Sequence, residues 1–479
     1  MGSKLKMATD IPASITTPDS VETRLGTLKF FDGFPDDATV QTVYDNLDFQ
    51  RGVQAFLIAL PAASSYAFRT GFRTFGPDNQ TVIIAESLVD SHSLILTANS
   101  ETVYNIVWLD TKDGPLVVEV PPRMLGMVND VWGRFVTDVG SAGPDHGQGG
   151  TYLLLPPGYT GDVPDGYFVV RSRTCGNLMF CRGFIVNGDL RPSVENAKRN
   201  FRVYPLARAA DPPAMSFVNI SGAAFNAVFA SDTSFFEHVA AAVREEPLEA
   251  TDPETRGLLA AIGIRKDKPF APDARMRGIL ADAAAVGNAT ARTITFSTRD
   301  PDAYLYPNSA WKVLWIGNDP GFAPGGVLNP DGRTLYFYCG WGVSPAVTVK
   351  MVGVGSQYAA ADRDAAGRYL DGGKTYRLHL PPDVPAKDFW SLLVYDPQTR
   401  SMLQTDQRFP SISSQKEGLI VNSDTSVDVY FGPEPPPGNQ TNWVQTIPGK
   451  GWWVILRLYG PLEPWFDKTW RPGEIELIE

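Results

Sequence analysis

The chemistry available to this chain starts with polar side chains set inside apolar runs. The segment TANSETVYNIVWLD places Asn99, Glu101, Tyr104 and Asp110 in or beside a strand-like run, and alternation puts Asn99 and Glu101 on one face. A carboxylate turned inward there is costly unless paired, and desolvation raises its pKa, which makes it a candidate general acid or base. The plainer reading is that Glu101 faces solvent or caps a turn. The segment DVWGRFVTDVGSAGPDHGQGGTYLLLPPGY gathers Asp130, Arg134, Asp138, Asp145 and His146 around a glycine-rich loop. Such a loop can bring backbone close to a ligand, with Asp and His to position or activate water. It can equally be a tight β connection whose Asp side chains accept from turn amides. Arg182, in YFVVRSRTCGNLMFCRGF, is expected to pair with Asp138 or Glu101, either as a clamp for a substrate carboxylate or as a structural ion pair.

Aromatic residues supply a second kind of surface. Trp443, Trp452, Trp453, Trp465 and Trp470 crowd the C-terminal end, and FWSLLVYD (389–396) and WWVILRLYG (452–460) carry alternating aromatics. They could line a cleft for a sugar ring or another flat apolar ligand, or pack a large core. Ser391 and Ser413 lack the sharp strand-to-helix turn of a nucleophile elbow, so a triad with His379 has little support. No GxGxxG, GxxxxGK[ST], HExxH or GxSxG pattern occurs, and no cofactor is expected. The four histidines, His92, His146, His238 and His379, are far apart in sequence. A divalent metal would need nearly all of them, so a metal-assisted hydrolase or oxygenase using His92, His146 or His379 with Asp145 stands as a minor reading.

The elements that must hold these groups follow from texture. Residues 36–61 have helical spacing and predict one amphipathic helix stopped by Pro61. From about 81 to 175, TVIIAES, TVYNIVWLD, PLVVEVP, GRFVTDVG, TYLLLPP and YFVVRSR read as strands between Gly- and Pro-rich turns, the pattern of a sandwich or jelly roll. Between about 190 and 292 three Ala- and Leu-rich segments read as helices, and after the Pro/Gly/Asn-rich 317–333 the strand texture returns in VTVKMVG, TYRLHLP, FWSLLVYD, GLIVNS, SVDVYFG and WWVILRLYG. PEPPPG (433–438) can only be a loop. The fold class is therefore mainly β with a helical insert (α+β), built from two jelly-roll-like antiparallel β-sandwich domains. The expected divisions are an extension over 1–35, a helix plus the first β domain over 36–190, a helical insert over 191–295 and the second β domain over 296–479.

At 479 residues with 53 acidic against 42 basic side chains, the chain can bury sizeable cores, and it lacks the concentrated positive charge of a nucleic-acid surface. Three cysteines exclude a disulfide framework, though not a single bridge. No run approaches the length of a membrane span or a signal peptide, so the sequence as written reads as cytoplasmic; a lost leader would make it periplasmic or secreted. Met7 is a candidate natural start, with residues 1–6 an added leader.

Two long runs carry a family resemblance. NSETVYNIVWLD, GPLVVEVPP and GPDHGQGGTYLLLPPGYTGDVPDGYFVVRSRT resemble the bacterial domain of unknown function 1254. LDGGKTYRLHLPPDVPAKDFWSLLVYDPQTRSML, with NWVQTIPGKGWWVILRLYGPLEPWFDKTWRPGEIE, resembles its usual companion, domain of unknown function 1214. The resemblance implies a double jelly roll with a helical portion, as in viral capsid proteins and glycan-amidase enzymes, and homo-oligomeric members. Positions matching its pattern include Asn99, Glu101, Tyr104, Asp138, Asp145, Arg182, Trp390, Tyr395, Trp443 and Arg457.

These residues lead to the expectation of a cofactor-independent hydrolase acting on a small-molecule or glycan-like substrate. Glu101 and Asp138, with Asp145, supply acid/base groups, and Arg182 holds an oxyanion or substrate carboxylate. Asn99, Tyr104, His146, Trp390, Tyr395, Trp443 and Arg457 contact the substrate. The rival is a ligand-binding or assembly protein without catalysis, because fold does not fix function.

Overall fold

A computed structural model describes residues 7–478; the leader expected over 1–6 lies outside the described residues. A small sheet of β1 (Ser20–Thr23), β2 (Gly26–Phe31) and β3 (Phe34–Pro35) precedes helix α1 (Asp37–Arg73), whose N-cap Asp36 accepts from Thr39 N at 2.8 Å. The helix does not stop at Pro61. That residue sits on its buried face beside Gly133, and packing holds the chain helical for twelve more residues despite the lost backbone hydrogen bond.

The first β domain contains β4 (Thr81–Ile84), β5 (Ser93–Leu94), β6 (Thr102–Asp110), β7 (Leu116–Val120), β8 (Met124–Asp130), β9 (Phe135–Gly140), β10 (Gly150–Leu155), β11 (Phe168–Arg171) and β12 (Gly176–Phe184). After α2 (Arg191–Asn200), strands β13 (Arg202–Pro205) and β14 (Ser216–Asn219) return to it. The two sheets run β11-β10-β7-β13 and β14-β4-β6-β12-β8-β9. Residues 202–219, which the texture assigns to the helical insert, thus complete both sheets. Two edge strands, β11 and β14, pair in parallel, and β15 (Phe225–Asn226) pairs in parallel with β5.

Helices α3 (Ser234–Glu245), α4 (Pro253–Ala261) and α5 (Ala274–Phe296) pack with α1, and α6 (Pro330–Cys339) and α7 (Pro345–Thr348) lead into the second β domain. Helix α6 begins inside the Pro/Gly/Asn-rich stretch: Asn329 caps it by accepting from Gly332 N, and Pro330 occupies its first turn. Helix α7 replaces the strand expected at VTVKMVG, and GLIVNS forms no strand. The second β domain packs β16 (Ser356–Ala361), β18 (Ala386–Tyr395), β19 (Ser411–Ser413) and β22 (Trp453–Pro461) against β17 (Tyr376–Leu380), β20 (Val427–Gly432), β21 (Trp443–Gln445) and β23 (Ile475–Leu477), with α8 (Glu463–Phe466) after β22. PEPPPG is a loop. No helix among the described residues is long and apolar enough to cross a membrane, and all three cysteines are free.

The cores explain why the central strands lack clean polar alternation. On β6, Val103, Val107 and Leu109 enter the first sandwich core while Tyr104, Ile106 and Trp108 enter a larger core shared with the helices. On β22, Val454, Leu456 and Leu458 enter the second sandwich core, and Trp453 and Ile455 face the shared one. Each strand is buried on both faces, so its sequence is nearly all apolar and any polar side chain in it is conspicuous.

Candidate functional site between the two sandwiches

Two cross-strand pairs define the site. Tyr104 on β6 stands opposite Arg182 on β12, and Tyr358 on β16 stands opposite Arg457 on β22. Each sandwich thus presents one Arg–Tyr pair to the shared core, and Arg182 Nη1 joins them by donating to the Tyr358 hydroxyl at 3.3 Å. The loop before β6 ties the two domains further. Tyr395 donates to Ala98 O at 2.6 Å, Arg457 Nη2 donates to Thr97 O at 2.7 Å, and Asn99 Nδ2 donates to the Tyr459 hydroxyl at 2.8 Å. Asn99 N donates to the Tyr104 hydroxyl, and Asn99 Oδ1 accepts from Glu101 N, Thr102 N and Thr102 Oγ1. Asn99 is the start signal of β6 and the bolt between domains.

Neither guanidinium has a carboxylate ion-pair partner among the described residues. Arg182 Nε and Arg457 Nη1 are buried without any hydrogen-bond partner, although Arg457 is 3% exposed. An unpaired buried cation is expensive, and two that line one cavity leave donors there that negative charge would satisfy. Burial raises the pKa of Tyr104, Tyr336 and Tyr395, whereas at Tyr358 the fields of Arg182 and Arg457 outweigh burial and pull the phenol below its ordinary value. Because Tyr104 and Tyr459 already accept from Asn99, their hydroxyl protons remain free to donate.

Around these groups is a cavity of about 60 Å³ walled by Phe68, Leu178, Trp315, Tyr336, Trp341 and Val347. That is room for about five waters or one small organic group.

The expected acid/base residues do not converge here. Glu101 lies beside β6, one residue before its start, and is 4% exposed, which corrects the solvent-facing alternative. Its Oε1 accepts from Ser100 Oγ at 2.8 Å, Ser100 Oγ lies 3.0 Å from Ser411 Oγ, and burial raises its carboxyl pKa against the pull of Ser100 and Arg457. Asp138 on β9 faces Ser344 and the Ala346 amide, and burial pushes its pKa up to about 7. Asp145 accepts from Gly140 N, Gly149 N and the Tyr152 hydroxyl, which is the turn-bracing reading of the glycine-rich loop. His146 is exposed at positive φ in that loop. The expected Arg182 pair with Asp138 or Glu101 does not form.

The aromatic cleft is elsewhere than expected. Trp390, Trp452, Trp465 and Trp470 belong to the second sandwich core, Trp453 belongs to the shared core, and Trp443 donates to Gly432 O. Trp315, Trp341 and Tyr336 line the cavity instead. They lie on either side of the Pro/Gly/Asn-rich stretch 317–333. His92 contacts Asp90 and His379 contacts Asp428, and among the described residues no group of three or more His, Cys, Asp or Glu side chains is arranged to hold a metal ion.

The crystal structure of the VPA0106 protein from Vibrio parahaemolyticus matches with a TM-score of 0.56 at 17% identity, covering 90% of this chain and 100% of that one. The crystal structure of an uncharacterized protein from Burkholderia cenocepacia has a TM-score of 0.40 at 12% identity, with 91% of this chain and 96% of that one covered. No curated protein matches. The family model described as protein of unknown function DUF1254 matches residues 79–205, which contain Tyr104 and Arg182, and that of DUF1214 matches 355–463, which contain Tyr358 and Arg457. The chain thus carries a DUF1254 match followed by a DUF1214 match, each supplying one Arg–Tyr pair to the pocket, while Trp315, Tyr336, Trp341 and Val347 come from the segment between them.

Proposed function

We propose that this protein binds a small carboxylate in the pocket between its two β domains. The carrying observation is that Arg182 and Arg457, both without carboxylate partners, face one aromatic cavity. The carboxylate bridges the two guanidinium groups, the free Tyr104 hydroxyl donates to it, and a short apolar chain contacts Trp315 and Trp341. A cavity of about 60 Å³ favours a short-chain acid over a sugar ring. Calorimetric titration with propionate and with its neutral isostere propionamide tests this. Propionate should bind saturably, propionamide should not, and Arg182→Gln should weaken propionate by at least about tenfold, the worth of one charge-assisted contact. Equal binding of acid and amide, or an indifferent Arg182→Gln variant, sinks the reading.

Hydrolysis is the second reading, and Glu101 supports it: a buried carboxyl whose pKa is raised by burial, beside the Ser100 and Ser411 hydroxyls, is a candidate proton donor. With p-nitrophenyl propionate as probe, Glu101→Gln should remove turnover and spare propionate binding; unchanged turnover rejects this role. We also propose homo-oligomerisation, supported by exposed Phe31, Phe34 and Tyr44 on the N-terminal sheet and α1. Light scattering at the monomer mass rejects it.

A further inference from the structure

A second cavity, of about 500 Å³, lies where the β8–β9 turn, the β11–β12 connection, the start of α4 and the face of α6 meet. Arg134, Arg171, Arg173 and Arg333 line it against only two carboxylates, Asp130 and Asp252. Both carboxylates are already engaged. Asp130 accepts from Arg134 Nε at 2.6 Å and from the amides of Trp132 and Arg134, and Asp252 caps α4 by accepting from Glu254 N, Thr255 N and Thr255 Oγ1. Arg333 is half-buried and has no ion pair among the described residues; its Nε and Arg134 Nη2 are buried without partners. Burial lowers the Arg333 pKa against the pull of Asp252, the mark of a cation that has lost water without gaining a counter-ion. In a chain of net charge -11, this concentration of unpaired guanidinium is not background.

We propose that this cavity is a binding site for an organic phosphate monoester, with the phosphate held by Arg134, Arg173 and Arg333 and the organic body against Trp132 and Phe337. Four guanidiniums less two carboxylates leave two positive charges. A phosphomonoester, carrying about −1.5 to −2 at neutral pH, neutralises them, whereas a monocarboxylate leaves one uncompensated. Its three terminal oxygens also match the fork geometry of several arginines at once. The site shares no lining residue with the carboxylate pocket and is independent of it.

The test is titration of the whole protein with phenyl phosphate, followed by calorimetry and tryptophan fluorescence, with inorganic phosphate and benzoate alongside. Phenyl phosphate should bind saturably and more weakly as salt rises. Arg333→Met and the exposed-site variant Arg173→Ala should each weaken it by about tenfold or more, and Arg182→Gln should leave it unchanged. Absence of saturable binding overturns the proposal, as does binding untouched by both site variants or abolished by Arg182→Gln. Benzoate binding as tightly removes the phosphate assignment, and inorganic phosphate binding as tightly removes the organic body.

Discussion

At Tyr358 the charge balance of the pocket becomes measurable. Its hydroxyl accepts from Arg182 and its ring lies 5.5 Å from the Arg457 guanidinium, so ionisation is favoured there despite burial. An ultraviolet titration near 295 nm should show one tyrosine ionising below the ordinary range, and Tyr358→Phe should remove it. The tyrosinate competes with a ligand for the same cations, so propionate affinity should fall as pH rises through that step and become flatter in Tyr358→Phe. Asp138 gives the opposite sign from a different cause. Its folded pKa, raised by burial to about 7, exceeds its unfolded value, so the folded state holds the proton more tightly; stability is full below about pH 4 and is lost as pH rises to 7. Asp138→Asn should remove this loss, stabilising the protein at pH 8 by up to about 4 kcal/mol relative to pH 4, as read by denaturant unfolding at both pH values. Of the site, Asn99, Tyr104 and Arg182 were legible in the sequence because a polar residue in an apolar strand is itself a signal, and Arg457 was expected from the family resemblance alone. Tyr358, Trp315 and Trp341 were not, because what makes them a site is a register between strands and a meeting of two domains.

Strands and helices were legible where one period dominates. Strands β4, β6, β7, β9, β11, β17 and β20 fall within runs expected to be extended, and β10, β18 and β22 overlap theirs, since β-branched and aromatic residues between turn signals leave little alternative. Failures have two causes: packing overrides a local signal where α1 passes through Pro61, and a competing local signal wins where VTVKMVG yields to the Pro-initiated turn of α7. The α1–α5 contact shows how tightly that packing is set. A Cβ built on Gly287 of α5 would come within 2.7 Å of the Phe56 ring on α1, and one on Gly52 of α1 would meet Ala283 Cβ at 2.6 Å. Neither neighbour is a flexible chain end, so the helices cannot part cheaply. Gly287→Ala should therefore lower stability by about 1–3 kcal/mol despite the better helix propensity of alanine. A variant whose melting temperature equals or exceeds that of the parent would show that the contact is looser than the geometry requires.

At the scale of the molecule, the pocket exists only because two sandwiches are held in one relation, and that relation runs through the turn at Thr97–Asn99. Three side chains of the second domain, Tyr395, Arg457 and Tyr459, meet this turn, and Asn99 answers with its amide while its carbonyl oxygen starts β6. Cutting Asn99 to alanine strands the Thr102 hydroxyl and removes the Tyr459 contact in a buried setting, a cost of about 1–3 kcal/mol. The loss falls on the junction, not on either sandwich core. Asn99→Ala should therefore weaken propionate, lower the melting temperature and broaden or split the calorimetric transition as the two β domains uncouple. Ligand should act in reverse, because an anion touching Arg182 and Arg457 at once binds only the joined state; at about one hundred times its dissociation constant it adds about 2.7 kcal/mol. Scanning calorimetry of Asn99→Ala with and without propionate decides the matter: recovery of a single sharp transition on adding ligand shows that the pocket couples the domains, and a profile identical to the parent in both conditions shows that it does not.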